Sequence, residues 1–340
     1  MRGDPMDGRR ENPLWRGLIP IAVAAAAALF VGGGMDAVHR HQRGEKKQHD
    51  AKPASESRET GPRFVVGVAA SGSALIVRDI RTGNDVGLPV AAPQGHQFHR
   101  VEALKDGSYI VAAYAAHTVT FQRLTLGKDG RPKDLKDVPK ATVPGVSTAW
   151  SDLAVSSDGA RIAYVTYEHA RGRVDVVSTS TGAHKVWTTK MAARVGSLSW
   201  SGGTLSFVWS PVRTTGGRFT EVKHQLRTLN TGGAAGDLKL SKAVLNLPEG
   251  CTTAILTRDG KAVVAGIVKN SQMSVQVYTV AGKPTTVLWR QKVKNKLTAL
   301  DTAPAGKAVL ANAGDLYLKG VPGAPGIRAI PGEDLADATW

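Results

Sequence analysis

Beyond residue 63, short apolar runs rich in Val, Ile, Leu and Ala alternate with polar turns carrying Gly, Asp, Ser or Asn. Segments with helical periodicity are nearly absent. This pattern predicts many short strands joined by tight turns. One unit recurs: an apolar run, a turn ending in Asp-Gly, and a second apolar run. It occurs around Asp106-Gly107, Asp158-Gly159 and Asp259-Gly260, with weaker copies at Gly202-Gly203 and Ala305-Gly306. Glycine at that place supplies a positive φ at no steric cost. The turn glycines 107, 159, 203, 260 and 306 are 52, 44, 57 and 46 residues apart. That period points to the four-stranded blades of a β-propeller.

Four strands are expected in each full segment. They fall at 150–156, 160–167, 173–178 and 184–188 in the third segment, and at 252–257, 261–268, 273–280 and 285–290 in the fifth. The second segment spans 98–143, with a hairpin enlarged at 127–132. The fourth spans 194–247, with insertions at 213–218 and 231–236, and the sixth spans 296–330. The first supplies only three strands, at 64–70, 74–80 and 86–90. Its missing inner strand is expected from residues 334–340, which resemble the start of the third segment at 147–150. The predicted fold is therefore an all-β, six-bladed propeller in which the C-terminal strand closes blade one and removes the open edges. Trp187 and Trp289 lie 28 and 29 residues after their turn glycines and are expected to pack between blades.

The run Leu-Ala-Val-Ser-Ser-Asp-Gly-Ala-Arg-Ile-Ala-Tyr-Val at 153–165 resembles the repeats of TolB-like and related WD40-like propellers. In those repeats a Ser or Pro precedes Asp-Gly, a basic residue and an apolar strand. Asp158, Gly159 and Arg161 match, as do Asp259, Gly260 and Lys261. The Gly-His and Trp-Asp dipeptides of WD40 blades are absent. The resemblance covers residues 64–340 and implies a fold and a binding scaffold, with no catalytic residue carried over. The alanine-, glycine- and arginine-rich composition behind an apolar N-terminal segment also resembles the exported, membrane-anchored propellers of actinobacteria.

Residues 18–34 form the one long uncharged apolar run. As a helix rising about 1.5 Å per residue it would span roughly 26 Å, near the lower limit for a bilayer core. The expected organisation is a short cytoplasmic leader at 1–17, a transmembrane signal anchor at 18–35, a disordered polar linker at 36–62 and the propeller at 63–340. This places the protein in the cell membrane, single-pass, with its C-terminal domain outside the cytoplasm. Secretion after signal cleavage is the alternative, although no Ala-x-Ala site follows the run. Arg2, Arg9, Arg10 and Arg16 precede it, and Arg40, Arg43, Lys46 and Lys47 follow. The charge comparison is thus a tie, and orientation rests on the shortness of the leader. The single cysteine, Cys251, rules out an intrachain disulfide and lies too far along the chain for a lipid anchor. In an apolar strand it reads as a buried small hydrophobe.

The chain carries a net charge of +16. Residues 64–340 hold 33 Lys and Arg against 20 Asp and Glu, leaving +13 on the folded part. An anionic surface is a compatible partner. Nucleic acid is not expected, because the few aromatics are not interleaved with basic runs. No nucleophile elbow, phosphate loop or paired-cysteine motif is present, so catalysis is the lesser expectation. No cofactor is expected, and His96-x-x-His99, which precedes the inner strand of blade two near the expected channel mouth, lacks a third metal ligand. Glu333 and Asp334 are neighbours in a turn, where solvation is the default.

Asp152, Asp301 and Asp337 fall on or near inner strands. Propellers place ligand groups there, and carboxylates there also accept backbone hydrogen bonds. Channel-side His and Glu are expected to be rare. Arg213 and Arg218 bracket the blade-four insertion, the expected interaction loop. The leading function is a membrane-tethered scaffold that docks an unknown envelope protein. The alternative is a propeller that binds or hydrolyses a small molecule or glycan, in which case the three aspartates share one channel mouth.

Overall fold

The Asp-Gly turns are built by the same local chemistry each time. Asp158 Oδ1 accepts from the Ala160 N–H at 3.1 Å and from the Ser156 hydroxyl at 2.5 Å. Asp259 Oδ1 repeats this with the Lys261 N–H at 3.0 Å and the Thr257 hydroxyl at 2.6 Å. The glycine then takes a left-handed turn, with φ of 69° at both Gly159 and Gly260. An aspartate that captures the amide two residues on, followed by a residue free of Cβ, specifies the hairpin wherever it recurs. At the weaker copy the left-handed residue is Gly202.

The structure, a computed structural model, describes residues 61–340 apart from 217, 304–307 and 322. The expected leader, anchor and linker lie outside the described residues, as does the Ala305-Gly306 turn. Among the described residues, no helix is long and apolar enough to cross a membrane.

Six antiparallel blades follow one another, each ordered from inner to outer strand. Blade one pairs Leu335–Thr339 with Phe64–Ala69, then Ala74–Asp79 and Val90–Ala91. Blade two is Gln97–Ala103, Tyr109–Ala115, Thr118–Leu126 and Pro132–Pro144. Blade three is Leu153–Val155, Arg161–Glu168, Arg171–Ser178 and His184–Thr188. Blade four is Ala193–Ser201, Thr204–Thr215, Gln225–Asn230 and Lys242–Asn246. Blade five is Cys251–Leu256, Ala262–Lys269, Gln272–Thr279 and Pro284–Lys292. Blade six is Ala299–Thr302, Val309–Ala313, Asp315–Lys319 and Ile327–Ile330.

The ends of the chain close the ring as expected. Val66 faces Thr339 and Gly67 faces Ala338 in antiparallel register. Five apolar clusters fill all the blade interfaces. One joins blade one to blades two and six, and the others join two to three, three to four, four to five and five to six. The core therefore lies between blades. Trp187 is buried against blade four and Trp289 against blade six, as their shared register suggested.

One expected strand is shorter than predicted, and the two blade-four insertions take definite form. Blade one's outer strand is only Val90–Ala91, because the turn after Asp79 keeps Val86 and Asp85 on isolated contacts with Val77 and Arg78. The 213–218 insertion is a β-hairpin: Thr204–Thr215 runs on past the blade and pairs with Arg218–Glu221. The 231–236 insertion crosses to blade three, where Gly236–Asp237 adds a fifth, parallel strand beside Trp187 and Thr188. Lys185 and the Trp187 indole hold that crossing by donating to the carbonyls of residues 231–234.

Candidate binding site at the channel mouth

The inner strands surround a cavity of about 800 Å³ that opens at their N-terminal ends. It narrows to a second cavity of about 40 Å³ at their C-terminal ends. Leu198, Leu300, Glu102 and Asp301 line both, and so mark the waist.

Asp152, Asp301 and Asp337 all line the wide cavity, and each also ties blades together. Asp337 Oδ2 accepts from the Val101 N–H at 2.9 Å, linking blade one to blade two. Thr339 accepts from the Ala103 N–H at 3.2 Å and donates to Asp301 Oδ2 at 2.7 Å, linking blade one to blades two and six. Asp152 accepts from the Leu198 N–H and its own neighbour's N–H, both at 2.9 Å, linking blade three to blade four. Ser199 accepts from the Leu256 N–H at 3.2 Å and continues the series to blade five. These side chains satisfy amides that the short inner strands leave without a ladder partner.

Burial raises the pKa of all three aspartates, and Asp337 reaches about 6. For Asp152 and Asp337 the Arg100 guanidinium opposes that rise, and for Asp301 the Thr339 hydroxyl does. Arg100 is itself fixed by donating to the Ser151, His99 and Ala149 carbonyls at 2.7, 2.9 and 2.9 Å.

The channel also carries groups beyond the three aspartates, His99 among them as its place before the inner strand of blade two suggested. Glu102 sits at the waist with its carboxyl held well above the ordinary range, first by burial and then by Asp301. His99 lines the wide cavity and bonds Ser147 at 2.7 Å, which in turn bonds the Tyr164 hydroxyl at 2.6 Å. Burial, then Arg100, pushes His99 below its usual value. His224 also lines the mouth. The expected scarcity of channel-side His and Glu is therefore incorrect. In blade two the cause is a β-bulge between Phe98 and Arg100. It resets the inside–outside alternation, so that Phe98, Val101 and Ala103 enter the core while Arg100 and Glu102 face the channel. His96 hydrogen-bonds the Gln94 carbonyl instead. Among the described residues no His, Cys, Asp and Glu group is arranged to hold a metal ion.

The blade-four hairpin reaches this same mouth. Phe219, Thr220 and Glu221 line it, with Phe219 56 % exposed and set edge-on to Trp150 at 6.1 Å between ring centres. A charged clamp anchors the hairpin's base. Arg194 donates to Glu221 Oε1 at 3.1 Å, and His224 lies 2.5 Å from Glu221 Oε2. The His224 bond and the Arg194 charge hold the Glu221 carboxyl down at about 2 against its burial. Arg213 and Arg218 stand exposed on the hairpin, outside the cavity lining. Glu333 and Asp334 lie outside the lining too. Asp334 pairs with the buried Arg78 at 2.9 Å.

No protein-family model and no curated protein sequence matches this chain. Solved structures do. TolB from Acinetobacter baumannii is 13% identical with a TM-score of 0.54, the match covering 82% of this chain and 65% of that chain. This chain thus spans just under two thirds of that TolB's length. A chain of a nidogen/laminin complex is 9% identical with a TM-score of 0.51, covering 81% of this chain and 97% of that one. The fold is a TolB-like six-bladed β-propeller. At these identities the likeness extends to the fold alone.

Proposed function

We propose that this chain is a membrane-tethered, extracytoplasmic scaffold of the actinobacterial type, and that it docks another envelope protein on the face holding the channel mouth. One observation carries the reading. The blade-four hairpin presents Phe219, largely exposed and edge-on to Trp150, at the rim of a large cavity, and the Arg194–Glu221–His224 clamp holds it there. A rigid aromatic anchor beside a concavity is what a partner's protruding segment needs. Arg213 and Arg218 beside it, within a domain of net charge +13, suit a partner or surface of opposite sign. The long apolar run at 18–34 supports the tether.

Catalysis has less support. Asp152 has both oxygens committed to amide donors, and Arg100 is spent on carbonyls.

A photo-crosslinkable residue placed at Phe219 in native membranes tests the proposal, with the exposed Thr286 on blade five's outer strand as the reference position. Capture of one stoichiometric partner from position 219 and none from 286 supports docking at the mouth. Equal capture from both positions, or none from either, overturns it.

A further inference from the structure

We infer that the wide cavity binds a neutral oligosaccharide, its hydroxyls held by the polar wall and a ring face held by Trp150 and Phe219 at the rim. This goes beyond protein docking, because the ligand lies inside the cavity. Four inner strands bulge at its level. One extra residue enters the pairing at Ala336 in blade one, His99 in blade two and Thr252 in blade five, and the register also shifts across Ser197 in blade four. All four residues line the cavity. A bulge gives up ladder pairing and re-aims a side chain. Its repetition around one opening marks a built site, and Ser197 holds a left-handed φ of 51° within it.

His99 is fixed for hydrogen bonding without charge. Ser147 occupies its Nδ1 at 2.7 Å, and the Tyr164 hydroxyl holds Ser147 at 2.6 Å. Burial, then Arg100, keeps the ring below its usual pKa, so it is neutral at physiological pH. Its Nε2 has no partner among the described residues. The hydroxyls of Ser197, Thr220 and Thr252 also line the cavity and bond no described residue. Each both donates and accepts, which is what a sugar hydroxyl needs opposite it.

Several charges of the mouth are matched among themselves. Arg100 faces Asp337 and Asp152, and Arg194 pairs with Glu221 at 3.1 Å. An uncharged ligand leaves those pairs undisturbed. Trp150 and Phe219 meet edge-on at 6.1 Å between ring centres, and both line the cavity. Apolar rings beside groups that bond hydroxyls suit a sugar, which has C–H faces and a belt of hydroxyls. The volume of about 800 Å³ lies within the range of pockets that enclose a whole small ligand, about 300–1,000 Å³, and leaves room for more than one sugar ring.

Binding of the full chain to an array of neutral, anionic and cationic oligosaccharides tests this, followed by calorimetric titration with the strongest neutral binder. Two variants accompany it. Thr252→Val keeps the side chain's shape and removes no hydrogen bond of the fold. Phe219→Ala changes an exposed ring. Saturable binding of a neutral oligosaccharide is expected. It should weaken about fivefold in T252V, the worth of one hydrogen bond, and at least as much in F219A. No binding of any neutral oligosaccharide, a preference for charged ones, or affinity unchanged in either variant overturns the inference. Thr252 is on blade five and Phe219 on the blade-four hairpin, so T252V leaves the crosslinking position intact. Weakened sugar binding with capture retained at position 219 therefore separates the cavity from the docking face, and sugar binding without capture at 219 sinks the docking reading alone.

Discussion

Replacing Asp337 by Asn should stabilise the protein at neutral pH and leave it unchanged in acid. Asp337 is 9% exposed, and its carboxyl titrates at about 6 in the fold against 3.8 for the free side chain. Burial is the main cause, with Asp152 adding repulsion, and Arg100 and the Val101 N–H opposing. The folded state therefore holds this proton more tightly than the unfolded state. Stability is fully present below about pH 4, falls as the pH rises towards 6, and stays lower above that. A difference of about two units at about 1.36 kcal/mol each amounts to about 3 kcal/mol. Asn is isosteric, its amide oxygen still accepts from Val101, and it carries no charge to bury. Urea denaturation of wild type and D337N at pH 3 and pH 8 reads the difference directly. The variant should gain up to about 3 kcal/mol at pH 8 and less than about 0.5 kcal/mol at pH 3. Asp337→Ala serves as the contrast, because it orphans the buried Val101 amide and should cost about 1–3 kcal/mol at pH 3. D337N that is less stable at pH 8, or that tracks wild type at both pH values, would refute the argument that ionisation here opposes folding.

Arg78 is buried and bridges Asp85 at 2.8 Å, Asp334 at 2.9 Å and the Pro331 carbonyl at 2.6 Å, tying blade one to the approach of its closing strand. Arg78→Ala should cost about 1–2 kcal/mol in chemical denaturation, because the Asp85 and Asp334 carboxylates it leaves are half exposed and hydrate, and a loss under about 0.5 kcal/mol would show that the closure holds without it. Gly159 has a φ of 69° with its turn closed by Asp158, so Gly159→Ala should lower stability by about 1–2 kcal/mol, against no comparable loss at Gly203, whose φ is not left-handed and where an added Cβ meets nothing. Burial pushes the Cys251 thiol up to about 12. Iodoacetamide at pH 8 should therefore leave it unmodified in the native protein and alkylate it fully in urea, and mass spectrometry of the two samples gives the answer.

Several features were legible in the residues because their causes are local. An aspartate that caps the amide two residues on, followed by a left-handed glycine, makes a hairpin whatever surrounds it. The Asp158 and Asp259 turns therefore marked blades three and five to within a few residues. Alternating apolar positions named the strands, and the paired positions of Trp187 and Trp289 named two blade interfaces. The closing strand was legible for the same reason, since residues 334–340 repeat the start of a blade that otherwise lacks one.

Only the tertiary structure decided what the channel contains. Inner-strand side chains alternate between core and channel, so one extra residue inverts the assignment of every residue after it. The bulge between Phe98 and Arg100 does this in blade two, and a second between Gly196 and Ser199 shifts the register in blade four. No residue type in Gln-Phe-His-Arg-Val-Glu-Ala announces that slip, so Arg100 and Glu102 went unplaced while Asp152, Asp301 and Asp337 were named. The direction of the blade-four insertion was equally hidden. Its residues spell a hairpin, but the Arg194–Glu221–His224 clamp that sets it at the mouth joins side chains brought together by the blade's pairing. Local backbone chemistry wrote the propeller into the sequence. The ring geometry, which sets six inner strands around one axis, decided which charges meet there.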